Sequence, residues 1–302
     1  MYHKTRGDKI FDALNITFFI LFAITALYPF WSTLMTSFMD ERGYYGQALN
    51  LYPKGFNLRA WRNIFSTPMI YGGFINSILY TTISPAYTMF MVFCAAYAMT
   101  KPNLIGKRFF NIYFLITMYF GGGMVPSYLI NTNILRLGNT RWIYFITGGL
   151  AVWGFLVLRN FIKKLSPSLI ESARIDGATE FTILGRIVLP LSLPCITTLT
   201  MFQMIGYWNN WMTARIYLTT REDLYPLPMI IRRVVIEGGS RGYSAMLAEL
   251  EKARQVEGQG YMIFETARDA AMVMCVVLPI VLVYPFIQKY FEKGVMIGSL
   301  KE

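Results

Sequence analysis

The sequence predicts an all-α, polytopic membrane protein with six transmembrane helices in one domain, residues 1–302. Three observations carry this. Apolar residues make up 55% of the chain and charged residues only 15%, whereas a soluble domain carries about 25% charged residues. Charge-free apolar runs recur along the chain at the length a bilayer core demands, about 20 helical residues. None has an Asp, Glu, Lys or Arg in its middle, where each would cost roughly 2.5 to 3.5 kcal/mol.

The spans are expected at about 13–38, 70–98, 109–131, 141–160, 187–213 and 270–289. The N-terminus, MYHKTRGDKIFDALNITFFILF, is basic and then apolar like a signal peptide. Its apolar run is too long for such a segment and no small-residue cleavage site follows, so it reads as a retained first span. Prolines fall within several runs, at Pro29, Pro85, Pro126, Pro194, Pro279 and Pro285, and Gly121, Gly122 and Gly123 precede Pro126. Mobile hinges and plain packing are both open readings, because transmembrane helices tolerate both residue types. The fourth run is somewhat short.

Basic residues set the orientation. With the N-terminus inside, half of the 28 basic residues fall inside, an even split. Most of the others lie in one long loop, which counts weakly. The clusters beside span ends, GKR at 106–108 and RNFIKK at 159–164, both fall inside. The expected topology therefore has both termini in the cytoplasm. A first outer loop covers residues 40–69, and a larger one 213–269 contains the charged helical stretch YSAMLAELEKARQ. That stretch reads either as a solvated cap or as a docking surface for an external partner.

Several chemistries are disfavoured. The cysteines Cys94, Cys195 and Cys275 lie in apolar runs without a CxxC pair, and the only histidine is His3. Neither a metal site nor a nucleophile triad is expected. No basic cluster interleaves with exposed aromatics, so the net charge of +11 reads as membrane anchoring and not nucleic-acid binding. Lys101 stands where a GxxxxGK loop would need its first glycine, so no ATP site is expected on this chain.

Against this background residues 168–190, SLIESARIDGATEFTILGRIVLP, are conspicuously polar. They read as two short helices broken at Gly177, whose freedom at positive φ suits a helix end. Ser166 can cap the first helix with Pro167 at its first position. Alternatively, Ser168 can cap it with Glu171 three residues on. A second helix is expected from about Thr179. Ala173 and Gly177, four apart, make one face small. A capped helix of this kind can serve as a rigid knob or as an ordinary connector.

Glu171-Ser172-Ala173-Arg174-Ile175-Asp176-Gly177, nine residues, then Ile187-Val188-Leu189-Pro190, resembles the "EAA" cytoplasmic loop of ABC importer permeases, with Ser172 where the motif has Ala. YFGGGMVPSYLI at 119–130, GYWNNW at 206–211 and the tail KYFEKGVMIGSLKE resemble the carbohydrate-uptake subgroup, similar to the maltose-type permeases and to those handling oligosaccharides or polysaccharide fragments such as alginate. The likeness covers roughly residues 70–302 and implies a type I ABC importer permease fold.

The resemblance implies a bacterial cytoplasmic-membrane subunit, not an enzyme. Its coupling loop would be 161–186, with Glu171, Ser172, Ala173, Asp176 and Gly177 seated on an ATPase subunit dimer. ATP and Mg would bind that partner and no cofactor this chain. A second, homologous permease, an external sugar-binding protein, the sugar and membrane lipid complete the implied partners. The C-terminal tail, Gly294 to Glu302, would reach the ATPase interface. In GYWNNW, Tyr207, Trp208, Asn209, Asn210 and Trp211 are candidate substrate-pathway residues. Indole faces stack on sugar rings and amides bond hydroxyls, but an aromatic belt at a span's outer end has the same composition. Two rivals are an ion-coupled secondary transporter, which would be expected to show intramembrane acids, and a membrane-embedded enzyme, which would need convergent catalytic groups at one membrane face, with Glu171, Asp176 and Glu180 as the candidates and no metal ligands beside them.

Overall fold

The computed structural model describes residues 5–45, 49–236 and 265–299, and no strand occurs among them. Contacts divide the chain into two units, Met1–Pro68 with Glu237–Leu278, and Met69–Ile236 with Pro279–Glu302.

In the first unit, α1 (Arg6–Thr36) is 31 residues long, about 46 Å at 1.5 Å per residue. Thr5 and Asp8 start it with a reciprocal capping box. Its large apolar side chains from Ile10 to Trp31 face outward from the chain. The first loop folds back on its end through α2 (Glu41–Tyr45) and α3 (Arg59–Ser66). Trp31 Nε1 donates to Leu51 O at 2.9 Å, and Trp61 Nε1 donates to Ser37 Oγ at 3.1 Å.

The second unit holds the long span α4 (Pro68–Ala98) and then α5 (Lys107–Tyr119). The 13 residues of α5 reach only about 20 Å, short of a bilayer core. The chain breaks at Gly121–Gly123, with Gly123 at φ +83, and α6 (Met124–Leu129) leaves at 110° to α5. The expected third span is thus a bent pair. Short α7 (Trp142–Ile146) and α8 (Val152–Lys163) follow, so the expected fourth span is two helices interrupted at 147–151.

Next come α9 (Pro167–Ile175) and α10 (Glu180–Ile183), the latter running through a π-helical turn into α11 (Leu189–Trp208). In that turn Leu189 N–H donates to Leu184 O, five residues back, just before Pro190. Four single helices among the described residues are long and apolar enough to cross a membrane, or five counting the bent pair.

The core of this unit joins α4, α8, α10 and α11. Val92, Ala96, Phe155, Leu158, Ile183 and Val188 are buried together, with Phe114 of α5 4.8 Å from Phe155.

After α11 comes the segment 213–269, expected as an outer loop. Its first part packs back on α4. Through α12 (Met212–Tyr217) and α13 (Leu227–Ile231) it buries Leu218, Leu224, Leu227, Met229 and Ile230. Polar residues of α4 hold it: Asn76 Nδ2 donates to Asp223 O (2.8 Å) and Tyr225 O (3.2 Å), Tyr80 donates to Leu224 O (2.9 Å), and the Leu227 amide donates to Ser77 Oγ (2.8 Å). These bonds satisfy polar groups that would be costly to bury bare. The remainder of the loop, including the charged stretch at 243–255, lies outside the described residues. The last helix, α14 (Glu265–Ser299), begins in the first unit and ends in the second. The expected tail follows this helix to Ser299, and residues 300–302 lie outside the described part.

Candidate functional site

The polar loop begins as a short helix closed at its C-terminal end. Of the two possible starts, Ser166 is the N-cap with Pro167 in the first turn, and the Ser168–Glu171 capping box does not form. Instead Ser166 Oγ and Ser168 Oγ pair at 2.7 Å. At the other end the Gly177 amide donates to Arg174 O (3.0 Å) and the Ala178 amide to Ala173 O (2.9 Å). This double closure is the Schellman motif, which needs a left-handed residue between its arms. Gly177 supplies it at φ +79. A Cβ built there meets nothing within 4 Å, so the glycine is required for its backbone and not for space.

Four of the five expected coupling residues, Glu171, Ser172, Asp176 and Gly177, are exposed. The fifth, Ala173, is partly buried and packs with Ala178 against the core cluster. Of the small pair four apart, Gly177 is exposed and Ala173 partly buried. Ile175 and Phe181 stand out beside them, each 87% exposed.

The sequence reading did not single out what lies behind the knob. Thr179 caps α10, accepting from the Thr182 amide at 3.3 Å, which leaves Glu180 unused by its own helix. Glu180 Oε2 accepts from Tyr97 Oη (2.5 Å) and from Lys101 Nζ, while Oε1 accepts from Arg174 Nη2 (2.9 Å). Lys101 also donates to Tyr97 Oη at 2.6 Å. The Lys101 ammonium, and next the Tyr97 hydroxyl, hold the Glu180 carboxyl well below the usual carboxylate range, at about 2. Only the charge-bearing residue types hinted at this group; their separation along the chain hid it.

The structure brings Tyr207 to Trp211 together at the end of α11 but uses most of their polar atoms locally. Asn209 Nδ2 donates to Ile205 O (2.9 Å), and Asn210 Oδ1 accepts from the Thr213 amide (3.1 Å). Tyr144 donates to Asn210 O at 2.9 Å. The Trp211 ring lies under the Arg232 guanidinium at 3.8 Å. Trp208 is buried, edge-on to Phe74, beside an apolar cleft of about 200 Å³ that Met204, Thr81 and Pro279 also line. The Tyr207 hydroxyl occupies the space a Cβ on Gly148 would fill.

The sequence pattern of the binding-protein-dependent transport system inner membrane components matches residues 98–297, two-thirds of the chain and all of the polar loop. The chain belongs to that family. It is a multi-pass inner-membrane permease subunit of an ABC importer that works with a substrate-binding protein, a transport component and not an enzyme. Neither rival reading survives this.

The permease is similar to two Bacillus subtilis (strain 168) proteins. It is 34% identical to the polygalacturonan/rhamnogalacturonan transport system permease protein YtcP over 97% of this chain and 99% of that one. To the protein LplC it is 32% identical over 99% and 97%. A chain of the crystal structure of a bacterial ABC transporter involved in the import of the acidic polysaccharide alginate superposes with a TM-score of 0.84 at 26% identity, covering 96% of this permease and all of that chain. That likeness carries the type I importer permease fold.

Proposed function

We propose that the permease carries an oligosaccharide or polysaccharide fragment into the cytoplasm, driven by ATP that binds with Mg on a separate ATPase dimer. The observation that carries the coupling part is the knob itself, a Schellman-closed helix exposing Glu171, Ile175 and Asp176, with Phe181 exposed on α10 beside it. A short helix that starts at Pro167 and is closed by the Schellman bonds moves as one body when a groove around it moves. The outward apolar pair offers area to bury in such a groove, at about 25 cal/mol per Å². In this reading α9 and both termini are cytoplasmic, a second homologous permease completes the pathway, and a sugar-binding protein delivers substrate from outside.

The sugar class rests on the relatives' names, and acidic oligosaccharides come first because the superposed transporter imports alginate. Among the pathway candidates, Asn209 is the exposed member, and the aromatics around it enter as packing. The test is reconstitution with the ATPase, second permease and binding protein, followed by uptake of a labelled oligosaccharide panel. Uptake of acidic oligosaccharides that depends on ATP supports the reading. Absence of uptake across the whole panel, in a complex that hydrolyses ATP, overturns the sugar class.

A further inference from the structure

We propose that Glu180 is the joint that carries displacement of the knob into the span α4, a positioning role that rests on the coupling reading above. Three elements meet on one carboxylate. Arg174 comes from α9, Glu180 begins α10, and Tyr97 and Lys101 stand at and just beyond the end of α4. An acid in a first helical turn is commonly explained by the helix dipole alone. Here the carboxylate turns away from its own helix, whose cap Thr179 already provides, and reaches residues 79 and 83 positions back along the chain.

The far side of the joint is anchored. Lys107 Nζ donates to Lys101 O at 2.7 Å and to Thr100 O at 3.3 Å, tying down the backbone from which Lys101 extends. Beyond it α4 runs for 31 residues, carrying the Asn76–Tyr80 clasp and Thr81 at the cleft beside Trp208.

Apolar contacts also connect the knob to the core, through Ile170, Ala173 and Ala178. Such contacts hold surfaces together but are non-directional. Charge-assisted hydrogen bonds have preferred angles and lengths. The joint therefore adds direction to a contact that would otherwise slide. The Arg174–Glu180 pair is half-exposed, 47% and 53%, and pairs of that kind contribute about 0–1 kcal/mol; Lys101 at 22% and Tyr97 at 7% are more buried, but Tyr97 is held by the core cluster whichever way Glu180 points. Loss of the joint should therefore show in coupling and not in assembly.

The experiment uses the full complex in proteoliposomes, with Glu180→Gln, Lys101→Met and Lys101→Arg in the permease. Membrane insertion, ATPase co-purification and basal ATP hydrolysis should stay at wild-type levels in all three. Uptake per ATP hydrolysed should fall roughly tenfold in Glu180→Gln and Lys101→Met. Lys101→Arg, which keeps a cationic donor, should retain coupling; a purely structural role would not predict this rescue. Wild-type uptake per ATP in Glu180→Gln overturns the inference. So does loss of the ATPase from that variant's complex, which would make Glu180 a docking contact. The coupling reading fails separately, if Phe181→Ser and Ile175→Ser leave ATPase co-purification unchanged.

Discussion

The Ala178 amide donates to the Ala173 carbonyl across 2.9 Å, and this bond closes the polar helix only because Gly177 between them stands at φ +79. Gly177→Leu should therefore strain the closure by about 1 kcal/mol or more through its backbone alone, since no neighbour lies within 4 Å. We expect normal membrane insertion with lost sugar uptake and weakened ATPase association. Transport and ATPase pull-down on the same membranes, normalised to expression, check it. Normal uptake would make the loop a plain connector.

Phe181 and Ile175 are each 87% exposed. Phe181→Ser and Ile175→Ser should change the permease's own stability by no more than about 0.5 kcal/mol, as surface positions do. Retention of the ATPase on the purified permease should nevertheless drop. Thermal unfolding in detergent and quantitative co-purification read the two effects apart.

The Glu180 carboxyl is lowered from its ordinary 4.5 to about 2. A depressed acid contributes its stabilisation above the unfolded value and loses it as pH falls through the folded value. The joint should thus persist unchanged at neutral pH and weaken only as pH drops from 4.5 toward 2. Coupled transport should show no step from this group between about pH 6 and 8, far above either value. A step there that disappears in Glu180→Gln would contradict this assignment.

Asn76 is buried and donates to two carbonyls of the returning segment, Asp223 O and Tyr225 O. Asn76→Leu leaves both carbonyls without this donor, at a cost of about 1–3 kcal/mol for each group left unsatisfied. The expected result is a lower unfolding temperature in detergent, larger than for Thr82→Val on the exposed side of the same helix.

Trp208→Ala should behave as a packing lesion, costing about 3–5 kcal/mol, because the ring is buried against Phe74. We expect reduced folded yield with an unchanged oligosaccharide preference in the protein that survives. A shifted preference at normal yield would restore Trp208 to the substrate pathway.

Composition and spacing by themselves determined the membrane class, and the motif at 171–190 pointed to the importer family, because such signals are local. Proline in a first helical turn and glycine at a helix end act through their own backbone angles. Hence Pro167, Gly177 and the start of a second helix near Thr179 were legible from a few residues each. An apolar run reports its length but not whether it stays straight. Runs 109–131 and 141–160 therefore hid the 110° break after Tyr119 and the interruption at 147–151.

Only tertiary structure decided which way Ala173 faces, because its burial comes from residues far away in the chain. It also decided that the segment after α12 returns to α4, where Asn76 meets a carbonyl 147 positions distant. The Glu180 joint is of the same kind, with Lys101 and Tyr97 separated from Glu180 by 79 and 83 residues. No local rule of backbone or periodicity spans such distances. What joins these residues is the packing of α4, α8, α10 and α11 around one buried cluster.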